Sequence, residues 1–340
     1  MPHLNRRQTL GLLAGSAALP LLGGYPLHAF AASDEYLALV EKEAPGLGFY
    51  RLADGKRIGS LELPEQPHEI VADRQGRYAY VGQYGVKSWQ APGEGGHQVS
   101  VIDLAERRLV RSIDLSPYHR LHGMRLDDQG RLYVLSETDS LLIRFDQPAT
   151  AESPSQIVPV GGTRSHYFVL TRDGRRAYVA DTLSGLVILV DAHNPAVLPV
   201  KKYLGQAPEG CCLSPDERIF YVLDRFAGIL HALDARDLTP IHQIKLRGEA
   251  VRVAALPDGR LLVSNLADKS LSLLRPDTLA EVAYLPMGSA VPGLNLDARG
   301  ERLFAALEDN QLAVVDLRNW REIRRFATGK APDTAVVFQA

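Results

Sequence analysis

The sequence predicts an all-β fold, a seven-bladed β-propeller, because one short pattern recurs along the chain at a nearly constant spacing. The pattern is plainest in residues 172–191, RDGRRAYVADTLSGLVILVD. An Asp-Gly turn leads into an alternating segment, a second turn follows, and an apolar, β-branched run closes the unit. This order is typical of two antiparallel strands.

The spacing of the copies defines the type of repeat. Equivalent turns stand at positions 76, 130, 174, 217, 259 and 300, so successive copies are separated by 54, 44, 43, 42 and 41 residues. A period of about 40 to 45 residues with four short strands per unit is the signature of a propeller blade. A length of 340 residues would by itself suggest two domains, but a closed array of repeats predicts one.

The two ends of the chain are predicted to share the seventh blade. Six units occupy residues 67 to 328, each with strands A to D from the innermost outward. Segments 35–41, 48–52 and 57–63 supply three more strands, and segment 334–338 supplies the innermost one. Pairing the ends in one blade closes the ring and leaves no exposed edge strand. We therefore expect a single propeller domain over residues 32–340.

Residues 1–31 have the composition of an export signal. Two basic residues, Arg6 and Arg7, precede an apolar stretch over 10–22, and Ala29-Phe30-Ala31 fits a small-x-small cleavage site. The apolar stretch is too short to span a membrane. The paired arginines resemble a twin-arginine signal, although Thr9 replaces the usual aromatic residue; an ordinary secretory signal is the alternative. Either signal predicts a periplasmic protein.

The charge of the chain excludes some partners. Removal of residues 1–31 takes away two arginines and no acidic residue, which changes the net charge from −2 to −4. A mildly acidic body gives no electrostatic basis for binding nucleic acid or an anionic membrane. The expected partners are a small molecule or a metal ion, with a periplasmic redox protein as a further candidate.

One segment carries a family resemblance. Residues 207–222, APEGCCLSPDERIFYV, resemble the YVTN-type β-propeller repeat, which is WD40-like in architecture. That family is similar in fold to the quinoprotein amine dehydrogenase heavy chain and to the haem d1 domain of cytochrome cd1. The resemblance implies a seven-bladed propeller over the whole mature chain. It implies little about activity, because such proteins include lactonases, lyases and cofactor-binding subunits, many of them periplasmic.

The repeat also predicts which residues meet in space. The residue eight positions before each turn lies where strand A begins, at the mouth of the axial channel, and the closing blade is aligned through its Ala-Pro dipeptide. These seven positions, in ring order, are Asp333, His68, His122, His166, Glu209, Val251 and Pro292. Composition alone would place about 0.2 histidines in seven positions, whereas three are found here.

The clustered imidazoles and carboxylates favour a metal site. His68, His122, His166 and Glu209 together offer the nitrogen and oxygen ligands that suit copper, zinc or iron. The alternative is that the imidazoles cap backbone amides or line a wet funnel without binding an ion.

A long loop is expected beside these histidines. The 54-residue unit carries its extra length in residues 82–97, which include Tyr84 and Trp89, and the neighbouring connection contains Arg120. Aromatic and basic residues over a histidine cluster indicate a pocket for a small polar or anionic molecule. Arg164, next to His166, would add an anion contact. The alternative is a loop without a binding role.

Three functions are compatible with these residues. The leading hypothesis is an exported accessory protein that binds a metal ion or small ligand at the channel mouth. The second is an enzyme of the lactonase or lyase type, in which His122 or His166 is a general acid or base and Arg164 or Arg120 holds an anionic substrate. The third is an interaction platform for a periplasmic redox enzyme.

Overall fold

Strands are the only regular secondary structure in the described part of the protein. The computed structural model describes residues 35–44, 46–64 and 66–339, which form 28 strands in seven four-stranded antiparallel sheets. The predicted all-β, seven-bladed fold is confirmed. Over these residues, no helix has the length and apolar character needed to cross a membrane. The predicted export signal, residues 1–31, lies outside the described residues.

The strands follow the predicted order, from the channel outward in each blade. Blade 1 contains β28 (Pro332–Gln339), β1 (Glu35–Glu41), β2 (Gly46–Arg51) and β3 (Lys56–Glu62). Blade 2 contains β4 (Pro67–Ala72), β5 (Tyr78–Gln83), β6 (Gln98–Asp103) and β7 (Arg108–Asp114). Blade 3 contains β8 (Leu121–Leu126), β9 (Leu132–Ser136), β10 (Leu141–Phe145) and β11 (Gln156–Pro159).

The other four blades repeat this arrangement. Blade 4 contains β12 (Ser165–Leu170), β13 (Arg176–Asp181), β14 (Leu186–Asp191) and β15 (Val200–Tyr203). Blade 5 contains β16 (Pro208–Leu213), β17 (Ile219–Asp224), β18 (Ile229–Asp234) and β19 (Pro240–Lys245). Blade 6 contains β20 (Ala250–Ala255), β21 (Leu261–Asn265), β22 (Ser270–Leu274) and β23 (Glu281–Pro286). Blade 7 contains β24 (Gly293–Leu296), β25 (Arg302–Leu307), β26 (Gln311–Asp316) and β27 (Arg321–Ala327).

The innermost strands form a closed ring. Each one contacts the innermost strand of the next blade, in the order β28, β4, β8, β12, β16, β20, β24 and back to β28. Strand β28 pairs with β1 in antiparallel register, as predicted from the two ends of the chain. Because every A strand lies against the channel, residues where these strands begin converge at one mouth.

The hydrophobic core is divided among the interfaces between blades. Seven apolar clusters occur in the described residues, and each is shared by two neighbouring sheets. The tyrosines of the repeated Tyr-Val pair contribute to them and are almost fully buried: Tyr80, Tyr133, Tyr178 and Tyr221. Tyr178, for example, stacks on Phe220 of the next blade with ring centroids 5.0 Å apart. The repeat pattern therefore encodes the packing of one blade on the next.

Polar contacts reinforce the closure of the ring. Arg302 binds both carboxylate oxygens of Glu35 at 2.8 and 2.9 Å across the first and last blades. Thr334 of β28 donates its hydroxyl to the carbonyl of His68 at 2.5 Å and accepts from the amide of Ile70 at 3.1 Å. The closing strand thus holds the start of β4 as well as its own blade.

Replacing Thr334 with valine tests this contact. Thr334→Val keeps the side-chain shape but leaves the amide of Ile70 and the carbonyl of His68 without their partner. We expect the free energy of unfolding to fall by about 1–3 kcal/mol, measured by urea denaturation. The matched control, Thr278→Val in an exposed turn, should change it by less than about 0.5 kcal/mol. Equal effects of the two variants would contradict a role for Thr334 in closure.

Candidate functional site

The seven positions aligned by the repeat line a single cavity. The cavity has a volume of about 250 Å³ and opens at the mouth of the channel where the A strands begin. Its lining includes the whole predicted ring: Asp333, His68, His122, His166, Glu209, Val251 and Pro292. The chain's repeat therefore brings these side chains together, while their role in binding remains a prediction.

A break in strand pairing aims the ring residues into the channel. In six blades the register between the inner strand and its neighbour shifts at this point, within or beside the ring residue. A β-bulge of this kind re-aims a side chain and ends regular pairing. The ring residues are consequently free to face the cavity instead of alternating between the two faces of a blade.

Three imidazoles lie against one another in the cavity. His122 stacks on His166 with ring centroids 4.0 Å apart and planes at 29°, and His68 lies 4.3 Å from His122 on its other side. Tyr84 meets His122 edge-on at 4.9 Å. His122 is fully buried, and neither of its ring nitrogens has a hydrogen-bond partner among the described residues. Both nitrogens of His122 are therefore buried without a partner, although the residue lines the cavity.

Glu137 is the buried residue that orders the site. Its side chain is fully buried, and it accepts hydrogen bonds from Nδ1 of His166 and from the hydroxyl of Tyr84, both at 2.6 Å. Guanidinium nitrogens of Arg120 and Arg164 lie 3.5 and 3.7 Å from its other oxygen. Glu137 is not among the residues predicted from the sequence, because that prediction rests only on the positions where the A strands begin.

Glu137 belongs to a second set of equivalent positions that can be recognised in the sequence. The residue directly after each B strand also comes to the mouth of the channel. These seven positions are Lys42, Tyr84, Glu137, Thr182, Arg225, Leu266 and Glu308. Five of the seven line the cavity itself, and Glu137 lies behind the lining, where it accepts a hydrogen bond from His166. A second alignment at the ends of the B strands would therefore have predicted them.

The neighbouring imidazoles have different charge states. Burial alone would lower the pKa of His166, but the carboxylates of Glu137 and Glu209 raise it to about 9. Burial, with the positive charge of His166 beside it, holds the pKa of His122 well below its usual value. Burial also lowers the pKa of His68. At neutral pH the site therefore presents one imidazolium, His166, next to neutral imidazoles.

The long loop of blade 2 is tied down over the cavity. Two arginines bind its backbone carbonyls: Arg120 donates to those of Trp89, Ala91 and Gly93 at 3.2, 2.6 and 2.7 Å, and Arg164 donates to that of Trp89. Trp89 lines the cavity, and its ring lies 6.5 Å from that of Phe226 in blade 5. The loop thus reaches across the mouth.

The predicted ligand-contacting residues divide into two groups. Tyr84 and Trp89 line the cavity, whereas Arg120 and Arg164 are directed at the loop and at Glu137. The cations that do line the cavity are Lys42, Lys87, Arg225 and Arg252. None of these cations is among the site residues predicted from the sequence. Each is paired with a carboxylate: Lys42 with Asp333 at 2.8 Å, Lys87 with Glu43 at 3.3 Å, and Arg225 and Arg252 with Glu209 at 2.9 and 3.4 Å. The mouth of the channel therefore carries many charges of both signs.

The layer below the ring separates this cavity from the opposite mouth. The guanidinium groups of Arg125 and Arg252 flank the ring of Tyr167 at 4.7 and 5.1 Å, and Glu69 lies 3.8 Å from Arg125. Arg252 lines the cavity at the mouth and also a second cavity, of about 550 Å³, which Arg125 and Tyr167 line as well. The cavity at the mouth therefore has a charged, aromatic floor.

Fold and site together define a seven-bladed propeller with a histidine-rich cavity, lined by ion-paired side chains, at one mouth. In sequence, the chain is 24% identical over 306 residues to a 6-phosphogluconolactonase of Enterobacter sp. (strain 638), covering 85% of this chain and 80% of that protein. No family model matches the sequence.

Solved structures share the fold. A candidate 6-phosphogluconolactonase from Bacteroides fragilis matches with a TM-score of 0.71 and 13% identity, over 92% of this chain and 99% of that one. One from Bacteroides uniformis matches with a TM-score of 0.68 and 15% identity, over 90% and 99%. The β-propeller domain of Myceliophteria thermophila Cps50 (Swd1) matches with a TM-score of 0.64 and 15% identity, over 82% and 91%. At these identities the likeness establishes the architecture alone.

Removing the charge of Glu137 tests its place in the site. Glu137→Gln keeps the shape but leaves His166 without its closest counter-charge. Breaking a buried ion pair from one side should lower the free energy of unfolding by about 3–5 kcal/mol, measured by urea denaturation. Glu308→Gln, at the equivalent but exposed position of blade 7, is the control and should change it by less than about 0.5 kcal/mol. A Glu137 variant as stable as this control would contradict the assignment.

Proposed function

We propose that this protein is a lactonase-type hydrolase that opens the ring of a small anionic lactone in the cavity at the channel mouth. The observation that carries the proposal is the stacked pair of His122 and His166, with ring centroids 4.0 Å apart. One imidazole has unpartnered nitrogens, and the other is held between two carboxylates. Support comes from relatives and structural neighbours whose names include 6-phosphogluconolactonase.

His166 is suited to stabilise and protonate oxygen. Its Nδ1 donates to Glu137 at 2.6 Å, and its Nε2 lies 3.8 Å from Glu209 Oε1. Lactone hydrolysis places negative charge first on the carbonyl oxygen and then on the ring oxygen that leaves. A fixed imidazolium at the cavity wall stabilises such charge and can give the leaving oxygen its proton.

The water that attacks the carbonyl would lie beside His122. Neither nitrogen of this neutral, buried imidazole has a partner in the described residues, so its lone pair is free. Such a group activates water either by accepting its proton or by holding it through a bound cation. The ring centroid of His68 lies 4.3 Å from that of His122.

The cations of the lining favour an anionic substrate. Lys42, Lys87, Arg225 and Arg252 line a cavity of about 250 Å³. Each is paired with a carboxylate of the protein, and ammonium and guanidinium groups are the donors that phosphate and carboxylate groups of a substrate also bind. Trp89, on the loop across the mouth, offers a flat apolar surface to the rest of the molecule. A lining this rich in charged groups suits a small polar ligand better than an apolar protein surface.

We also propose that the mature propeller acts in the periplasm. The motivating features are the paired arginines and the cleavage pattern in residues 1–31. The twin-arginine route carries folded proteins, so a protein exported this way can acquire a bound ion before it leaves the cytoplasm.

Lactone hydrolysis by the purified mature protein tests the proposed function. 6-Phosphoglucono-δ-lactone and uncharged glucono-δ-lactone form a matched pair of substrates, and acid release in a pH-stat measures ring opening above the spontaneous rate. We expect the phosphorylated lactone to be preferred by about 10- to 100-fold in kcat/KM, since charged hydrogen bonds contribute about 1.5–3 kcal/mol.

Variants locate the activity in the cavity. His166→Gln should lower kcat by about 100-fold or more, the usual contribution of a positioned proton donor. His242→Gln, on an exposed outer strand, should leave kcat unchanged. Hydrolysis of neither lactone, or equal activity of the two variants, would contradict the proposal.

A further inference from the structure

We propose that His68, Glu69 and His122 bind a divalent transition-metal ion, with zinc as the reference case. Each residue offers one ligand atom, and the three atoms lie within 4.8 Å of one another. The exposed fractions of the three residues are 7%, 3% and 0%. Three potential ligands are therefore already gathered in one place, and two of them, His68 and His122, line the cavity.

Each of the three residues has a candidate ligand atom that makes no hydrogen bond to the described residues. Nδ1 of His68, Oε1 of Glu69 and both nitrogens of His122 are buried and accept or donate no hydrogen bond within the described part of the chain. A buried polar atom without a partner is costly, and native proteins satisfy nearly all of them. Several such atoms facing one another indicate that a bound species completes the site.

A β-bulge explains how adjacent residues reach the same ion. Neighbouring side chains on a regular strand point to opposite faces. In β4, however, the register with β5 shifts between Pro67 and Ile70, which places His68 and Glu69 inside the bulge. Thr334 fixes this bulge through its bonds to the His68 carbonyl and the Ile70 amide. Glu69 was absent from the sequence-predicted ligands because regular alternation would turn it away.

The two oxygens of Glu69 have different surroundings. Oε2 lies 3.8 Å from Arg125, while Oε1 faces His68 Nδ1 at 3.7 Å without a hydrogen bond. Arg125 can therefore hold the carboxylate in place from outside, in the manner of the groups that orient metal ligands. Oδ2 of Asp333 lies 3.4 Å from His68 Nδ1, but it is already paired with Lys42 at 2.8 Å, so Asp333 is not counted among the ligands.

Two of the sequence-predicted ligands are engaged elsewhere. His166 is hydrogen-bonded to Glu137, and Glu209 pairs with Arg225 at 2.9 Å and with Arg252 at 3.4 Å. These side chains form an ion-pair network of their own. The proposed site thus keeps His68 and His122 from the sequence prediction and replaces the other two ligands with Glu69.

The donor set selects the kind of ion. Two imidazoles and one carboxylate suit zinc, iron(II) and related transition metals, whereas calcium and magnesium prefer oxygen ligands alone. Three protein ligands leave a coordination position for water on the cavity side, which is the arrangement of catalytic zinc sites.

The metal would supply the nucleophile for the proposed lactonase activity, and this role rests on that activity. A water molecule at the open position loses a proton to solvent near neutral pH. The resulting hydroxide forms a bond to the lactone carbonyl carbon, the ring C–O bond breaks, and the leaving oxygen takes a proton from His166. His166 regains a proton from solvent, so water and lactone yield a hydroxy acid.

Metal analysis of the folded mature protein tests the site directly. After incubation with zinc chloride and removal of excess metal, we expect about one zinc per chain by mass spectrometry of the metal content. X-ray absorption at the zinc edge should show imidazole and oxygen ligands at about 2.0–2.2 Å. Wild-type protein that retains neither zinc nor iron(II), cobalt(II) or copper(II) would overturn the inference.

Variants assign the ligands. Glu69→Gln should weaken zinc binding in calorimetric titration by at least about 100-fold, at or beyond the upper end of the loss seen when outer-shell partners are removed. His242→Gln is the control and should bind as the wild type does. Unfolding curves check that the Glu69 variant is folded. Unchanged zinc affinity in a folded Glu69→Gln protein would overturn the assignment.

The two proposals fail in different ways. His166→Gln should keep its zinc and lose lactone hydrolysis. Zinc bound through Glu69 without hydrolysis of any lactone would remove the proposed function and leave the metal site standing. Lactone hydrolysis that is unaffected by a chelator and by Glu69→Gln would overturn the metal site and leave the lactonase standing.

Discussion

The hydrogen bond between Glu137 and His166 is the constraint on which the rest of the site depends. A fully buried carboxylate is costly unless it is paired, and Glu137 gathers its partners from three blades: Tyr84, His166 and two arginines. The same arginines hold the carbonyls of the long loop. One buried charge therefore links the histidine stack to the loop that crosses the mouth.

The pairing of Glu137 with His166 gives the two stacked imidazoles different charges and therefore different chemical roles. Glu137 and Glu209 hold His166 as a cation, while burial, together with that neighbouring charge, holds the pKa of His122 well below its usual value and keeps this ring neutral. A cationic ring stabilises developing negative charge on oxygen, while a neutral ring offers a lone pair to water or to an ion. Hydrolysis of a lactone requires both at one carbonyl group. The proposed lactonase activity thus uses the different charges of two neighbouring side chains.

The symmetry of the repeat determined what could be predicted from the sequence. Equivalent positions in a propeller meet at one mouth, so the eight-residue step from each turn found His68, His122 and His166 without a structure. Glu137 was not predicted because it belongs to a different equivalent position. Glu69 was not predicted because a local bulge overrides strand alternation. The loop and its arginine contacts follow no repeat and depend on long-range packing. Position along the repeat was predictable; which atoms pair was not.

Neutron diffraction from the metal-free protein at pH 7 would show directly whether Glu137 holds His166 as a cation, since it locates deuterium on each ring nitrogen. We predict deuterium on both Nδ1 and Nε2 of His166, an ionised Glu137, and a single deuterium on the ring of His122. A singly protonated His166 beside a protonated Glu137 would contradict it, because neither the fixed cation nor the asymmetry of the histidine stack would then exist.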